Sequence, residues 1–220
     1  MKPSMILKSI IMLSISPLCY LLSARSFDVL SVNIYFLVYI LFTVFSTIFL
    51  WKKAPDLVEA RMQRRRDVES WDKLLVVILL LLLSCVIPFV AGFDAGNYDF
   101  LIPILIGYFM FFLGSSLQVW AMITNRHFEG LVRIQHDRDH KVITDGPYKI
   151  VRHPGYLGIS ITAISIPLMM GSLYALIPSF LVVLDLFIRA VKEENFLAEN
   201  LEGYKEFKEK VKYRVIPFVW

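Results

Sequence analysis

The chain has 220 residues, 57% of them hydrophobic, with a mean hydropathy of +0.61 and a formal charge of +4. This composition excludes an ordinary soluble domain and points to a membrane protein whose surroundings are the lipid bilayer, with no nucleic-acid partner. Cys19 and Cys85 both lie inside apolar runs, which argues against a framework of exposed disulfides, and no CxxC or HExxH spacing offers a metal site.

In chain order, the apolar runs are measured against the ~20 residues needed to cross a hydrocarbon core. Ser9 to Ala24 is uncharged but short. Lys2 and Lys8 before it give it the look of a signal peptide, yet Leu22 stands where a small residue is needed for a cut after Ala24, so a retained helix is expected. Val32 to Trp51 is a clean span with an aromatic end. Leu74 to Gly92 carries LLVVILLLLL and is the strongest span. Phe100 to Thr124 is 25 uncharged residues. Tyr156 to Ile188 holds one charge, Asp185, in 33 residues. It is too long for one straight helix, and Pro167, Gly171 and Pro178 lie where it would fold back, so a hairpin of two helices is predicted. The tail, Glu194 to Trp220, reads as an amphipathic helix with Leu197, Leu201, Tyr204, Phe207 or Lys208, and Val211 at helical spacing.

Charge placement orients these elements. With the N-terminus inside and six crossings, Arg25 alone of the 23 Lys and Arg residues falls outside. The outer turn from Phe93 to Asp99 holds Asp94 and Asp99 but no cation. This is the positive-inside pattern. The expectation is one all-α domain over 1–220: a polytopic bundle of about six transmembrane helices, including the C-terminal hairpin. Residues 1–124 would form the N-terminal helices and 125–220 a half that carries a cytoplasmic-side cofactor pocket. The loop Lys52 to Lys73 starts a helix at Pro55-Asp56. Arg61, Arg64, Arg65 and Arg66 suit either a solvated interfacial helix near anionic headgroups or a gate over a site.

Two polar clusters interrupt the apolar pattern. The first, Gln135 to Tyr156, holds three of the four histidines and places Arg152 and His153 directly before Pro154. Thr144-Asp145-Gly146-Pro147 is turn chemistry with a helix start at Pro147. His153, preceding a proline, is pushed out of helical dihedrals. Gly155 and Gly158 permit close approach of backbone or ligand. The segment fits either an ordinary loop anchoring a helix or the wall of a cavity, where irregular backbone at membrane depth is tolerated. The second cluster sets Asp185, Arg189 and Glu193 at i, i+4, i+8 on one helix face. It reads either as an intrahelical ion-pair ladder or as costly charges aimed at a partner.

At these residues the chain resembles the isoprenylcysteine carboxyl methyltransferase family of membrane enzymes, most closely its short prokaryotic members. The matching pieces are His140 with Gly146-x-Tyr148, Arg152-His153-Pro154-x-Tyr156-x-Gly158, Arg189-x-x-x-Glu193-Glu194, Tyr204, and Arg214-x-Ile216-Pro217. They cover about the last ninety residues. Upstream, the resemblance is in hydropathy and in the pattern around Pro55-Asp56-Leu57 and Trp71-Asp72. The resemblance implies S-adenosylmethionine (SAM) as methyl donor. It would be held by Gln135, His140, Lys141, Val142, Ile143, Tyr148, His153, Pro154, Gly155, Tyr156 and Glu193, with Arg189 on the substrate; Arg189 and Glu193 form the catalytic pair. The interval from Gln135 to His140 is shorter than the family's, and Lys141 stands where a small polar residue is common.

The donor's chemistry agrees with these residue types. Glu193 can pair with an ammonium and a His or Arg with a carboxylate. Tyr148 and Tyr156 offer aromatic faces to adenine or sulfonium. The expected acceptor is lipid-like or prenylated, most simply a prenylcysteine carboxylate, which needs no base. A phospholipid amine would need one, from His153 or Glu194. An NADPH-dependent sterol-type reductase shares part of the motif, and a non-enzymatic membrane protein is the remaining alternative.

Overall fold

A computed structural model describes residues 3–24, 28–63, 67–97 and 101–220; of residues 3–10 and 12 the backbone alone is described. Arg25, Arg64, Arg65, Arg66 and Asp99, which the charge argument used, lie outside the described residues. The helices are α1 Pro3–Ser23, α2 Leu30–Lys53, α3 Pro55–Met62, α4 Ser70–Leu81, α5 Ile87–Ala91, α6 Leu101–Thr124, α7 Pro154–Met170, α8 Leu176–Asn200 and α9 Tyr204–Lys210. A π-turn, Leu82–Val86, joins α4 to α5 without a break in the apolar rod.

Among the described residues, three helical stretches are long and apolar enough to cross a membrane: Leu30–Lys53, Ser70–Ala91 and Leu101–Thr124, with mean hydropathies of 2.2, 3.2 and 1.7. Leu13–Ser23 and Pro154–Met170 are shorter apolar helices. Leu37, Leu41 and Phe45 of α2 and Leu101, Ile102 and Phe109 of α6 are exposed. Large apolar side chains facing outward along such rods are stable against lipid and costly against water. The protein is a helical membrane protein, and among the described residues its backbone forms no ladder beyond one isolated bridge, Val151 to Tyr213.

The expected hairpin is present. Helix α7 ends at Gly171, whose φ of 68° is left-handed, and α8 begins at Leu176. Asp94, buried in the turn after α5, accepts hydrogen bonds from the Leu173 and Tyr174 amides at 2.9 and 3.0 Å and from the Ser172 hydroxyl. The turn after α5 and the hairpin turn therefore share one end of the bundle. The polar segments lie at the other end.

Helices α6 and α7 cross where neither has a side chain. A Cβ on Gly158 would sit 2.6 Å from the Gly114 carbonyl oxygen. The space that Gly158 leaves is filled by backbone, in the small-residue mode of membrane helices. Gly155 is likewise closed by protein, since its Cβ would meet the Phe128 ring at 2.4 Å.

The tail departs from the sequence expectation. It is not one amphipathic helix: α8 runs on to Asn200, Gly203 adopts φ 80°, and α9 covers seven residues. Beyond Val211 the chain extends beside 151–153, with the Arg152 amide on the Tyr213 carbonyl at 3.0 Å and the His153 amide on the Arg214 carbonyl at 2.8 Å. The apolar positions are nevertheless buried as expected at Leu197, Tyr204, Phe207 and Val211. A break at Gly203 turns that stripe back onto the protein instead of onto the bilayer surface.

Candidate functional site

One cavity opens where α7 and α8 emerge beside the loop after α6. Its wall includes Gln135, His140, Lys141, Val142, Ile143, Tyr148, His153, Gly155, Tyr156, Arg189 and Glu193. These are the residues singled out from sequence, with the exception of Pro154. The Pro154 ring instead occupies the first position of α7, where a missing amide proton is harmless. His153 caps that helix at φ −122°, ψ 62°, outside the helical region as its following proline requires.

The two polar clusters meet across the α7–α8 pair. His153 and Tyr156 stack with ring centroids 5.2 Å apart and planes 10° from parallel. The Arg189 guanidinium lies 5.3 Å from the Tyr156 ring centre. The Tyr156 hydroxyl donates a hydrogen bond to Glu193. Of the two arrangements open to the α8 cluster, the ion-pair ladder does not form, because Arg189 makes a salt bridge with neither Asp185 nor Glu193. Its Nε donates instead to Asp72 Oδ1 at 2.8 Å, and Nη2 donates to the Gly130 carbonyl at 3.2 Å. Asp185 is buried away from the cavity, and its Oδ2 has no partner among the described residues.

Adjacent glutamates divide because successive helical residues point about 100° apart. Glu193 is half-buried at the cavity. Glu194 is wholly buried behind it, within 2.6 Å of Arg152 Nε, 3.0 Å of Arg214 Nε, 3.3 Å of His153 Nε2 and 3.7 Å of Lys208 Nζ. Arg152 also donates to the Val211 and Lys212 carbonyls, so this cluster clamps the tail onto the start of α7.

The loop wall is held by its own polar groups. The Gln135 side chain is buried; its Nε2 donates to the His127 carbonyl at 2.7 Å and its Oε1 accepts from Arg138 at 3.0 Å. Arg133, also buried, pairs with Glu129 at 2.9 Å, Asp137 at 2.8 Å and Asp67 at 3.1 Å. The Lys141 side chain points outward and pairs with Asp139 at 2.6 Å, so only its backbone belongs to the wall. The amides and carbonyls of Val142 and Ile143 have no hydrogen-bond partner among the described residues.

Burial, followed by the nearby His127, Arg133 and Arg138, pushes His140 down to about 4, and His127 is lowered chiefly by burial. Their rings lie 4.6 Å apart. The histidine pair is therefore neutral near pH 7, with His140 Nδ1 accepting from the Gln135 amide at 3.3 Å. Between the ordinary 6.5 and about 4, the unfolded chain takes up a proton at His140 that the folded chain refuses. Stability should thus rise with pH through that window and be lost as pH falls. Thermal unfolding in detergent across the window, for wild type and His140→Asn, checks this; equal pH dependence in both would remove His140 as the cause.

Sequence reasoning missed Phe128, Arg133 and the cavity-facing apolar residues Leu197, Leu201, Tyr204 and Phe207 as site residues, and it missed Asp72, which is buried behind Arg189. The apolar stripe of the tail is legible as helical periodicity, which does not say what surface covers it. Asp72 had two signals, its place in the Trp71-Asp72 pattern and a carboxylate at the very start of a strongly apolar helix.

These features define a helical membrane protein with a charged, aromatic-lined pocket at one end of the bundle. Residues 105–199 match the isoprenylcysteine carboxyl methyltransferase (ICMT) family. A rice (Oryza sativa subsp. indica) protein named probable protein-S-isoprenylcysteine O-methyltransferase is 31% identical over 117 residues, 52% of this chain and 61% of that one. Protein-S-isoprenylcysteine O-methyltransferase B of Arabidopsis thaliana is 33% identical over 116 residues, 51% of this chain and 58% of its own. A Schizosaccharomyces pombe protein-S-isoprenylcysteine O-methyltransferase is 31% identical over 102 residues, 45% of this chain and 43% of its own. The matched part of this chain thus spans 61% or less of these relatives. The resemblance drawn from the motifs is therefore shown, and it is centred on the segment that builds the cavity.

Proposed function

We propose that the chain is a SAM-dependent membrane methyltransferase acting on the carboxylate of a lipid-like acceptor, in the first instance a prenylcysteine. The observation that carries this reading is the convergence of His153, Tyr156, Arg189 and Glu193 with the His140–Ile143 loop on one cavity. The names of its relatives support the same class. The six-crossing topology, with the cavity at the cytoplasmic face, is part of the proposal and rests on the distribution of Lys and Arg.

The residues present fit the donor. The unpaired peptide groups of Val142 and Ile143 suit the polar edge of an adenine, with Tyr148 and the apolar side chains of α9 beside it. Glu193 offers a carboxylate to the ammonium. His153 and Tyr156 present stacked aromatic faces where a sulfonium would rest. Bound SAM would supply a methyl group already activated by positive sulfur. The protein's own work is then alignment and exclusion of water, tasks for which a rigid aromatic and ionic wall is suited. Arg189 orients the acceptor carboxylate, which attacks without a base.

A phospholipid amine acceptor would require a base. Glu194 is enclosed by Arg152, Arg214, Lys208 and the His153 ring and is absent from the cavity wall, so that reading is left with His153 as its single candidate base. The test is calorimetry with S-adenosylhomocysteine on purified protein, followed by transfer of labelled methyl to S-farnesylcysteine. Binding and an alkali-labile methyl are expected. An alkali-stable methyl would move the acceptor to an amine, and absence of S-adenosylhomocysteine binding would end the methyltransferase assignment.

A further inference from the structure

We propose that Asp72 is a positioning residue of the acceptor site, supplied by the N-terminal half of the chain outside the matched segment 105–199. The inference rests on the methyltransferase reading and deepens it. Asp72 lies in the first turn of α4 and has no exposed surface. A carboxylate in such a place has to be fully paired, and both its oxygens are occupied. Oδ1 accepts Arg189 Nε at 2.8 Å, and Oδ2 accepts the Val132 amide at 2.7 Å. The Glu69 amide returns a bond to the Val132 carbonyl at 3.3 Å. One side chain therefore fixes three things together: the start of α4, the cavity wall at Val132, and the guanidinium of α8.

The geometry gives that fixation a consequence for the acceptor. Arg189 has a planar fork of five N–H donors. Asp72 takes the Nε edge and Gly130 takes one Nη2 bond. Nη1 has no partner among the described residues, and Arg189 lines the cavity. Held by its Nε edge and by the Tyr156 ring, the guanidinium cannot rotate to Glu193 four residues away. The free part of the fork remains for an acceptor carboxylate, while Glu193 remains for the donor. Without Asp72, the carboxylates one turn to either side of Arg189 on α8 are Asp185 and Glu193, and a direct pairing with Glu193 would consume both groups. Asp72 thus keeps the substrate cation and the donor anion apart.

The test is a double-mutant cycle of Asp72→Asn and Arg189→Lys in the full chain. Methyl transfer to S-farnesylcysteine and calorimetric affinity for S-adenosylhomocysteine are measured on each variant. Asparagine keeps one acceptor oxygen but loses the charge and the second bond. The expected result is an acceptor kcat/KM lowered about 10–100-fold, the range for partners that orient a functional group, with donor-product affinity changed less than about threefold. The double variant should be hardly worse than Arg189→Lys alone, because Asp72 acts through Arg189. Effects that multiply, or donor affinity falling in step with turnover, would make Asp72 a general joint of the wall and overturn the proposal. Asp72→Glu keeps the charge and covers the case in which the asparagine variant does not fold; wild-type kinetics in either folded variant would also overturn it. Failure of the wild-type protein to transfer methyl would sink the underlying reading as well.

Discussion

Replacement of Arg189 by alanine is expected to lower turnover by about 10²–10³-fold while donor affinity stays close to wild type, the scale set by loss of one aligned charged donor at a reacting group. Arg189 faces the cavity but pairs with Asp72 instead of with Glu193, so donor contacts do not depend on it directly. Glu193→Ala should do the reverse. Losing one charged hydrogen bond of ~1.5–3 kcal/mol corresponds to a donor affinity about 10–100-fold weaker. Steady-state kinetics with a soluble farnesylated cysteine, and calorimetry with S-adenosylhomocysteine, separate the two outcomes. Because Arg189→Ala leaves the buried Asp72 carboxylate with the Val132 amide but without its cation, its melting midpoint must be recorded alongside, with Arg189→Lys as the charge-preserving companion. If Glu193→Ala binds donor product as wild type does, Glu193 is not the ammonium partner.

Glu194→Ala is expected to destabilise the fold by about 3–5 kcal/mol, the range for removing one member of a buried ionic cluster. The carboxylate is enclosed by Arg152, Arg214, His153 and Lys208, and its loss leaves at least Arg152 buried beside other cations. The consequence should be local as well as global, since Arg152 ties the start of α7 to the carbonyls of Val211 and Lys212. A lower thermal midpoint in detergent, with faster proteolysis of the stretch after Val211, is the signature. Glu194→Gln should fall between, because it keeps the shape and one acceptor. An unchanged midpoint in both variants would show that Arg152, Arg214, Lys208 and His153 are satisfied without Glu194. The contrast between neighbours is the point: one glutamate is expected to fail in donor binding and the next in folding.

The charged clusters illustrate how far sequence spacing reaches. Spacing of four on α8 correctly placed Asp185, Arg189 and Glu193 on one helix, but an ion-pair ladder along it was only one arrangement open to that pattern. The structure gives Arg189 a better partner 117 residues earlier, because a buried guanidinium gains most from a carboxylate whose own position is locked. Likewise Gly155 and Gly158 signalled close approach without naming the neighbour, which proves to be Phe128 and the backbone of α6.

By itself the sequence determined the helical membrane class, the places of the apolar runs, the hairpin reversal near Gly171 and part of the set of residues that wall the cavity. These depend on hydropathy, on proline and glycine dihedrals and on short motifs, all of which are local in the chain. Only the tertiary structure decided which carboxylate holds Arg189, which glutamate faces the cavity, and that the tail folds back through Gly203 to close the site. Those outcomes turn on which distant groups lose their water together. A buried charge is stabilised by whatever partner the packing brings within hydrogen-bond reach, and sequence separation carries no information about that distance.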